Sequence, residues 1–252
     1  MADQDFTEEF IGEEEQEAEM TFLDHLEELR WRLIYTLIGL IIATVLCWVF
    51  IDYLIEFILL KPARDAGATL QNLKPFGQLF MFFQVSIVAG LVLSLPNIFY
   101  QLWKFIAPAL KKKERRYIFY IVIYSTICFL SGIVFAYYVM LPLTLQFASQ
   151  FGSPDISNAF AIDEYLSIII SVMLAAGLIF ELPMISFFLT KLGILTPQFM
   201  RKYRRHSIVI IMILAAFLTP GADPVSQLIL AVPLVFLYEI SILISKFSMR
   251  KN

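Results

Sequence analysis

The chain has 252 residues, 59% of them apolar and 16% charged, and its mean hydropathy is +0.75. That balance excludes an ordinary soluble domain and implies a polytopic membrane protein. The formal charge of −3 hides an asymmetry: residues 1–20 hold nine acids and no Lys or Arg, so the remainder carries 19 cations against 13 acids.

The acidic segment 1–20 has little to bury, which predicts a disordered tail, and it lacks the basic start of a cleaved leader. Thr21-Phe22-Leu23-Asp24 has the form of a capping box. A short amphipathic helix is expected after it, with Leu26, Leu29 and Leu33 on one face and Asp24, Glu28 and Arg32 on another. This helix would lie on the membrane surface and lead into the first span. The membrane domain is expected over residues 21–247, with spans at about 33–53, 76–100, 117–141, 165–189, 207–218 and 225–244. Residues 248–252 form a terminal tail. The first four spans can cross about 30 Å of hydrocarbon, whereas twelve residues reach only about 18 Å. The fifth span is therefore short, and the sixth has a short apolar part because it opens with Ser226 and Gln227 and contains Pro233. Mismatch of this kind is met by thinning the bilayer, by snorkelling or by packing on another helix. A re-entrant hairpin through Thr219–Asp223 is the alternative. The reading is an all-α bundle of six spans.

Lys and Arg sort sharply between the loops. Sixteen fall before span one, in loops 2–3 and 4–5, and after span six, while three fall in loop 1–2. The positive-inside rule places both termini in the cytoplasm. The segment Ile98–Tyr117 concentrates this pattern, since Phe99, Tyr100, Trp103 and Phe105 precede five cations that surround Glu114.

Few polar groups stand out as chemistry. Glu181, in Phe180-Glu181-Leu182-Pro183, lies about 12 Å below the cytoplasmic surface. An ionisable group at that depth costs at least ~2.5–3.5 kcal/mol and must face protein or water. It is either functional or a structural carboxyl bonded to a neighbouring helix. Glu239 can snorkel to the interface, and Asp223 can cap the last helix. Glu28 has Arg32 at i+4, and Glu114 meets the positive end of a helix dipole, so each has a structural explanation. Cys47 and Cys128 fall inside apolar runs as packing thiols. The sequence has no phosphate-binding G-x-x-x-x-G-K-[ST] loop, no G-x-S-x-G and no H-E-x-x-H, and His25 and His206 are not ligand-spaced. An enzyme, a metal site or a cofactor site is not expected, nor is nucleic-acid binding.

Several motifs in fixed order resemble the TatC family, the signal-recognising subunits of twin-arginine protein translocases. They are His25-Leu26-Glu27-Glu28-Leu29-Arg30, Leu95-Pro96 with Tyr100-Gln101, Phe105-Ile106-Ala107-Pro108-Ala109-Leu110 with Glu114-Arg115-Arg116, and Phe135-Ala136-Tyr137. Phe180-Glu181-Leu182-Pro183, Leu218-Thr219-Pro220 with Asp223, and Ser226-Gln227 complete the set, which covers about Phe22–Phe247. The resemblance implies a curved, concave six-helix fold in the cell membrane. It also implies binding of Arg-Arg signal peptides of folded cargo and export driven by the proton-motive force. It assigns Glu28 and Glu114 to the twin-arginine site, with Arg30 and Phe105 nearby, which reverses the structural reading of both acids. Glu181 and Pro96 are placed in the intramembrane groove. Thr219, Gln227 and Asp223 are placed at contacts with single-span TatA or TatB subunits, beside further TatC copies. Gly221-Ala222 lengthens the tip loop relative to the family. A carboxylate suits guanidinium through two parallel bonds, where lysine offers a point charge. The rival reading is an ion-coupled small-molecule transporter that uses Glu181 as relay.

Overall fold

The first helix begins at the chain's leucine stripe and does not stop at the expected membrane surface. The computed structural model describes residues 22–107, 118–150, 159–218 and 224–250. Helix α1 runs unbroken over Phe22–Val49, 28 residues or about 42 Å. The separate surface helix expected from the sequence is therefore the first turns of α1, because no Gly or Pro interrupts the chain between the amphipathic segment and the apolar run. A single turn (Ile51–Tyr53), a wide-turn π segment (Leu54–Leu59) and α2 (Leu60–Asp65) follow at the opposite end from Glu28. Next come α3 (Gly77–Ile106), α4 (Ile118–Phe135), a second π segment (Ala136–Met140) and α5 (Leu141–Gln150). The chain ends with α6 (Ile162–Phe180), α7 (Leu182–Lys191), α8 (Pro197–Lys202), α9 (Arg204–Leu218) and α10 (Pro224–Arg250).

Among the described residues, five stretches are long and apolar enough to cross a membrane: His25–Val49, Gly77–Ile106, Ile118–Ser149, Ile162–Lys191 and Leu230–Phe247. Helix α9, at 15 residues, reaches only about 22 Å and is the short element of the six. Helix α10 is 27 residues long, longer than the apolar run that was read from sequence, although its apolar window is only Leu230–Phe247. The acidic tail, Thr21 of the capping box, Glu114 and the Thr219–Asp223 tip lie outside the described residues.

Proline explains both π segments. Each precedes one, Pro62 and Pro142. A proline ring clashes with the carbonyl four residues earlier and offers it no N–H, so the preceding turn opens and its bonds reach back five residues. Leu60 N–H accordingly bonds Ile55 O, and Leu141 N–H bonds Ala136 O. Around Pro62 two tyrosines from other helices take up the broken ladder. Tyr137 donates its hydroxyl to the Ile58 carbonyl at 2.9 Å, the group Pro62 cannot serve. Tyr165, fully buried, donates to the Leu59 carbonyl at 2.6 Å and accepts from Ala63 N–H at 3.2 Å.

This end also holds most of the core. Ile51, Ile55, Leu59 and Ala63 pack with Met140, Leu141, Leu145, Tyr165, Leu166 and Ile169, and the cluster continues to Ala215, Leu230 and Leu234. Over it, β1 (Thr69–Gln71) pairs in parallel with β2 (Ala159–Ala161), in register Thr69↔Ala159. Three-residue strands leave no alternation in the sequence, so this small sheet was not anticipated. An exposed Lys74–Asp163 ion pair sits beside it, and the carboxylate hydrogen bond raises the Lys74 pKa.

Two close helix approaches set the bundle. Helices α4 and α6 touch at Gly132, where an added Cβ would sit 2.6 Å from the Ala176 carbonyl oxygen. Helices α1 and α3 touch at Gly90, where an added Cβ would meet Thr44 Cα at 2.6 Å. Small residues at such crossings let backbones approach, which is how helices associate when the surrounding solvent is as apolar as their side chains.

Candidate functional site

Glu28 lies in the second turn of α1. Its Oε1 accepts from Arg32 Nε at 2.9 Å and also contacts Arg32 Nη2, the i+4 partner expected from sequence. Arg32 in turn reaches across to Gln101 Oε1 on α3, at 3.5 Å from Nη1. Both side chains of the pair are largely covered, 20% exposed for Glu28 and 15% for Arg32. The second carboxylate oxygen, Oε2, is shielded from water and has no hydrogen-bond partner among the described residues. Nδ1 of His25 lies 4.0 Å from it.

His25 connects this carboxylate to Phe105. The two rings stack nearly parallel, with centroids 4.4 Å apart and planes 17° from each other. Glu28 and Phe105, 77 positions apart in sequence, are thus joined through one imidazole. Arg30 does not point into this cluster. It is exposed, with its guanidinium carbon 5.9 Å from the Trp31 ring centroid. Successive helical residues point about 100° apart, so Arg30 and Glu28 cannot share a face.

Glu181 occupies the turn between α6 and α7, where Pro183 at the start of α7 interrupts the helix. Its N–H bonds Leu178 O at 3.2 Å, a tightened turn, and its own carbonyl accepts from Ile185 N–H at 2.9 Å. The residue is 6% exposed, and its Oε1 has no hydrogen-bond partner among the described residues. The Ser125 hydroxyl bonds the carboxyl, and Trp103 Nε1–H donates to Ser125 Oγ at 3.4 Å. A polar chain therefore runs from α3 through α4 to Glu181. Of the two residues assigned to an intramembrane groove, Pro96 is exposed on α3 and Glu181 is buried. Burial against a neighbouring helix satisfies the same energetic demand as an aqueous groove.

At the other end of the bundle, Gln227 donates from Nε2 to the Met212 carbonyl at 3.0 Å. It lines a shallow apolar groove of about 380 Å³ with Ile208, Val209, Met212, Ile213 and Ala216 of α9. The groove runs along the short helix. Glu239 pairs with Arg204 at 2.7 Å instead of reaching solvent alone.

The Sec-independent protein translocase protein (TatC) family model matches residues 24–233. The chain belongs to the TatC family. It is 36% identical over 228 residues to a TatC protein of Carboxydothermus hydrogenoformans, covering 90% of this chain and 93% of that one. It is 34% identical over 237 residues to the TatC of Aquifex aeolicus, covering 92% and 98%. A crystal structure described as the twin arginine translocase receptor TatC superposes with TM-score 0.77 and 34% identity, covering 89% of this chain and 99% of that one. The chain is thus a multi-pass membrane subunit of a protein translocase, a transport component.

Glu28 and Phe105 both stand in motifs shared with the TatC family, and nothing local in the sequence says what joins them. His25 was set aside because it lacks ligand spacing. The useful signal was its position three residues before Glu28, on the same helix face. Gln101, 69 residues from Arg32, had no local signal at all.

Proposed function

We propose that this subunit receives the Arg-Arg signal peptides of folded cargo at the Glu28 end of α1 and starts their export across the cell membrane. The observation that carries this reading is the buried, unpartnered Oε2 of Glu28 beside the parallel His25–Phe105 stack. A carboxylate oxygen of this kind next to a flat ring suits a guanidinium, which donates a directed bond and stacks on planar faces. Glu114 supplies the second carboxylate and Arg30 the flank, as the family motif implies. Both termini lie in the cytoplasm by the Lys and Arg count, so the site opens where the cargo is made. The residue boundaries of the domains are those given by the sequence. Energy comes from the proton-motive force, and single-span TatA- or TatB-type subunits dock near Gln227, Thr219 and Asp223.

The test is binding of a fluorescent Arg-Arg signal peptide to the detergent-purified protein, with a Lys-Lys peptide as control. Selective binding that falls at least about tenfold in Glu28→Gln or Glu114→Gln is the expected result, since one hydrogen bond to a charged group is worth roughly that factor. Equal binding of both peptides would overturn the reading. The ion-coupled transporter is favoured only by the buried Glu181 with its unpartnered oxygen. It requires solute uptake by the protein alone in liposomes, lost in Glu181→Gln.

A further inference from the structure

We propose that Arg32 is a specificity-determining residue, a resident cation that turns the Glu28 site from a charge trap into a geometric filter for arginine. This rests on Glu28 being the receptor for a signal arginine. Arg32 already holds Oε1 with Nε and Nη2 and is steadied from α3 by Gln101. The net charge of the Glu28–Arg32 pair is zero. An arriving cation therefore gains little from simple attraction and is repelled by the guanidinium already there.

What the site still offers is directional. Oε2 has an unused lone-pair set, and the stacked His25 and Phe105 rings lie beside it. The His25 side chain is 41% exposed, and its Nδ1 lies 4.0 Å from Oε2. A guanidinium can bond Oε2 and lie flat on a ring at the same time. An ammonium is a compact, strongly hydrated charge that gains from neither, so Arg32 penalises it most.

Two opposite roles for Arg32 predict opposite outcomes. If Arg32 only positions Glu28, removing it weakens Arg-Arg peptide binding. If it competes, Arg32→Gln bares both carboxylate oxygens, and every cationic peptide binds more tightly. The competitor role fits the geometry, because Arg32 occupies one of the two oxygens a bidentate ligand would use.

The experiment measures Arg-Arg and Lys-Lys peptide binding to the purified full chain carrying Arg32→Gln, Arg32→Lys, Glu28→Gln or both Gln changes. Arg32→Gln is expected to tighten the Arg-Arg peptide a few-fold and the Lys-Lys peptide roughly tenfold, so that selectivity drops. Arg32→Lys, which keeps the charge, should stay near the wild-type ratio. In the Glu28→Gln background, Arg32→Gln should have no further effect on selectivity. Weaker Arg-Arg binding in Arg32→Gln, or an unchanged ratio, would overturn the proposal while leaving Glu28 as the site. Wild-type binding in Glu28→Gln would overturn the site and this inference together. Should Arg32→Gln not yield folded protein, Arg32→Met, which keeps the apolar stem, is measured in its place with the same expectations.

Discussion

The two ends of the stretch that runs from α1 to α2 treat polar groups in opposite ways. Near Pro62, a broken helical ladder is repaired by hydroxyls brought from elsewhere: Tyr137 serves Ile58, and Tyr165 serves Leu59 and Ala63. At Glu28, about 40 Å along the helix system, one carboxylate oxygen is doubly bonded and the other is buried with no partner. Unmet hydrogen-bonding capacity costs stability, and native structures keep it where it serves another purpose. The Pro62 end reads as scaffold and the Glu28 end as a receptor held by that scaffold. Glu181 falls between them, with Ser125 beside its carboxyl and its Oε1 without a partner among the described residues.

Stability and binding measurements on variants from both ends would break or sharpen this contrast. Gly132→Val should be the most damaging, by about 3 kcal/mol, because its side chain would meet the Ala176 backbone, which cannot yield as a side chain would. It is checked by the thermal unfolding midpoint in micelles, and peptide binding should fall only as folded protein is lost. Tyr165→Phe should cost about 2 kcal/mol, since it strips partners from the Leu59 carbonyl and the Ala63 N–H while barely changing volume. Intact stability in that variant would mean that the ladder near Pro62 closes by itself, and the scaffold reading would fail. Glu28→Gln should shift stability by no more than about 0.5 kcal/mol, the scale of an i,i+4 ion pair, while peptide binding collapses. A large loss of stability there would erase the distinction between the ends. Lys74→Met, which breaks a solvent-exposed pair with Asp163, should leave the unfolding midpoint unchanged. The same pair predicts a weak pH effect. Asp163 raises the Lys74 pKa, so whatever the pair contributes is present below the usual lysine range and fades as the pH rises through the raised value.

Much of the fold was legible because it obeys local or compositional rules. Hydropathy and 1.5 Å per residue marked the membrane helices, and the twelve-residue run before Thr219 already marked the fifth as short. Glu28 with Arg32 could be seen because i and i+4 are neighbours on any helix. The motif order carried the family.

Other features exist only because the chain returns on itself. A proline opens a helix wherever it falls, but no local pattern says that Tyr137, 75 positions after Pro62, and Tyr165, 103 positions after it, mend the break there. The stack of His25 on Phe105, the reach of Arg32 to Gln101 and the chain Trp103–Ser125–Glu181 each join residues from different helices. Periodicity fixes which face of a helix a residue occupies, not which partner that face will meet. The partner follows from helix crossings such as those at Gly90 and Gly132, where only a missing side chain lets two backbones touch.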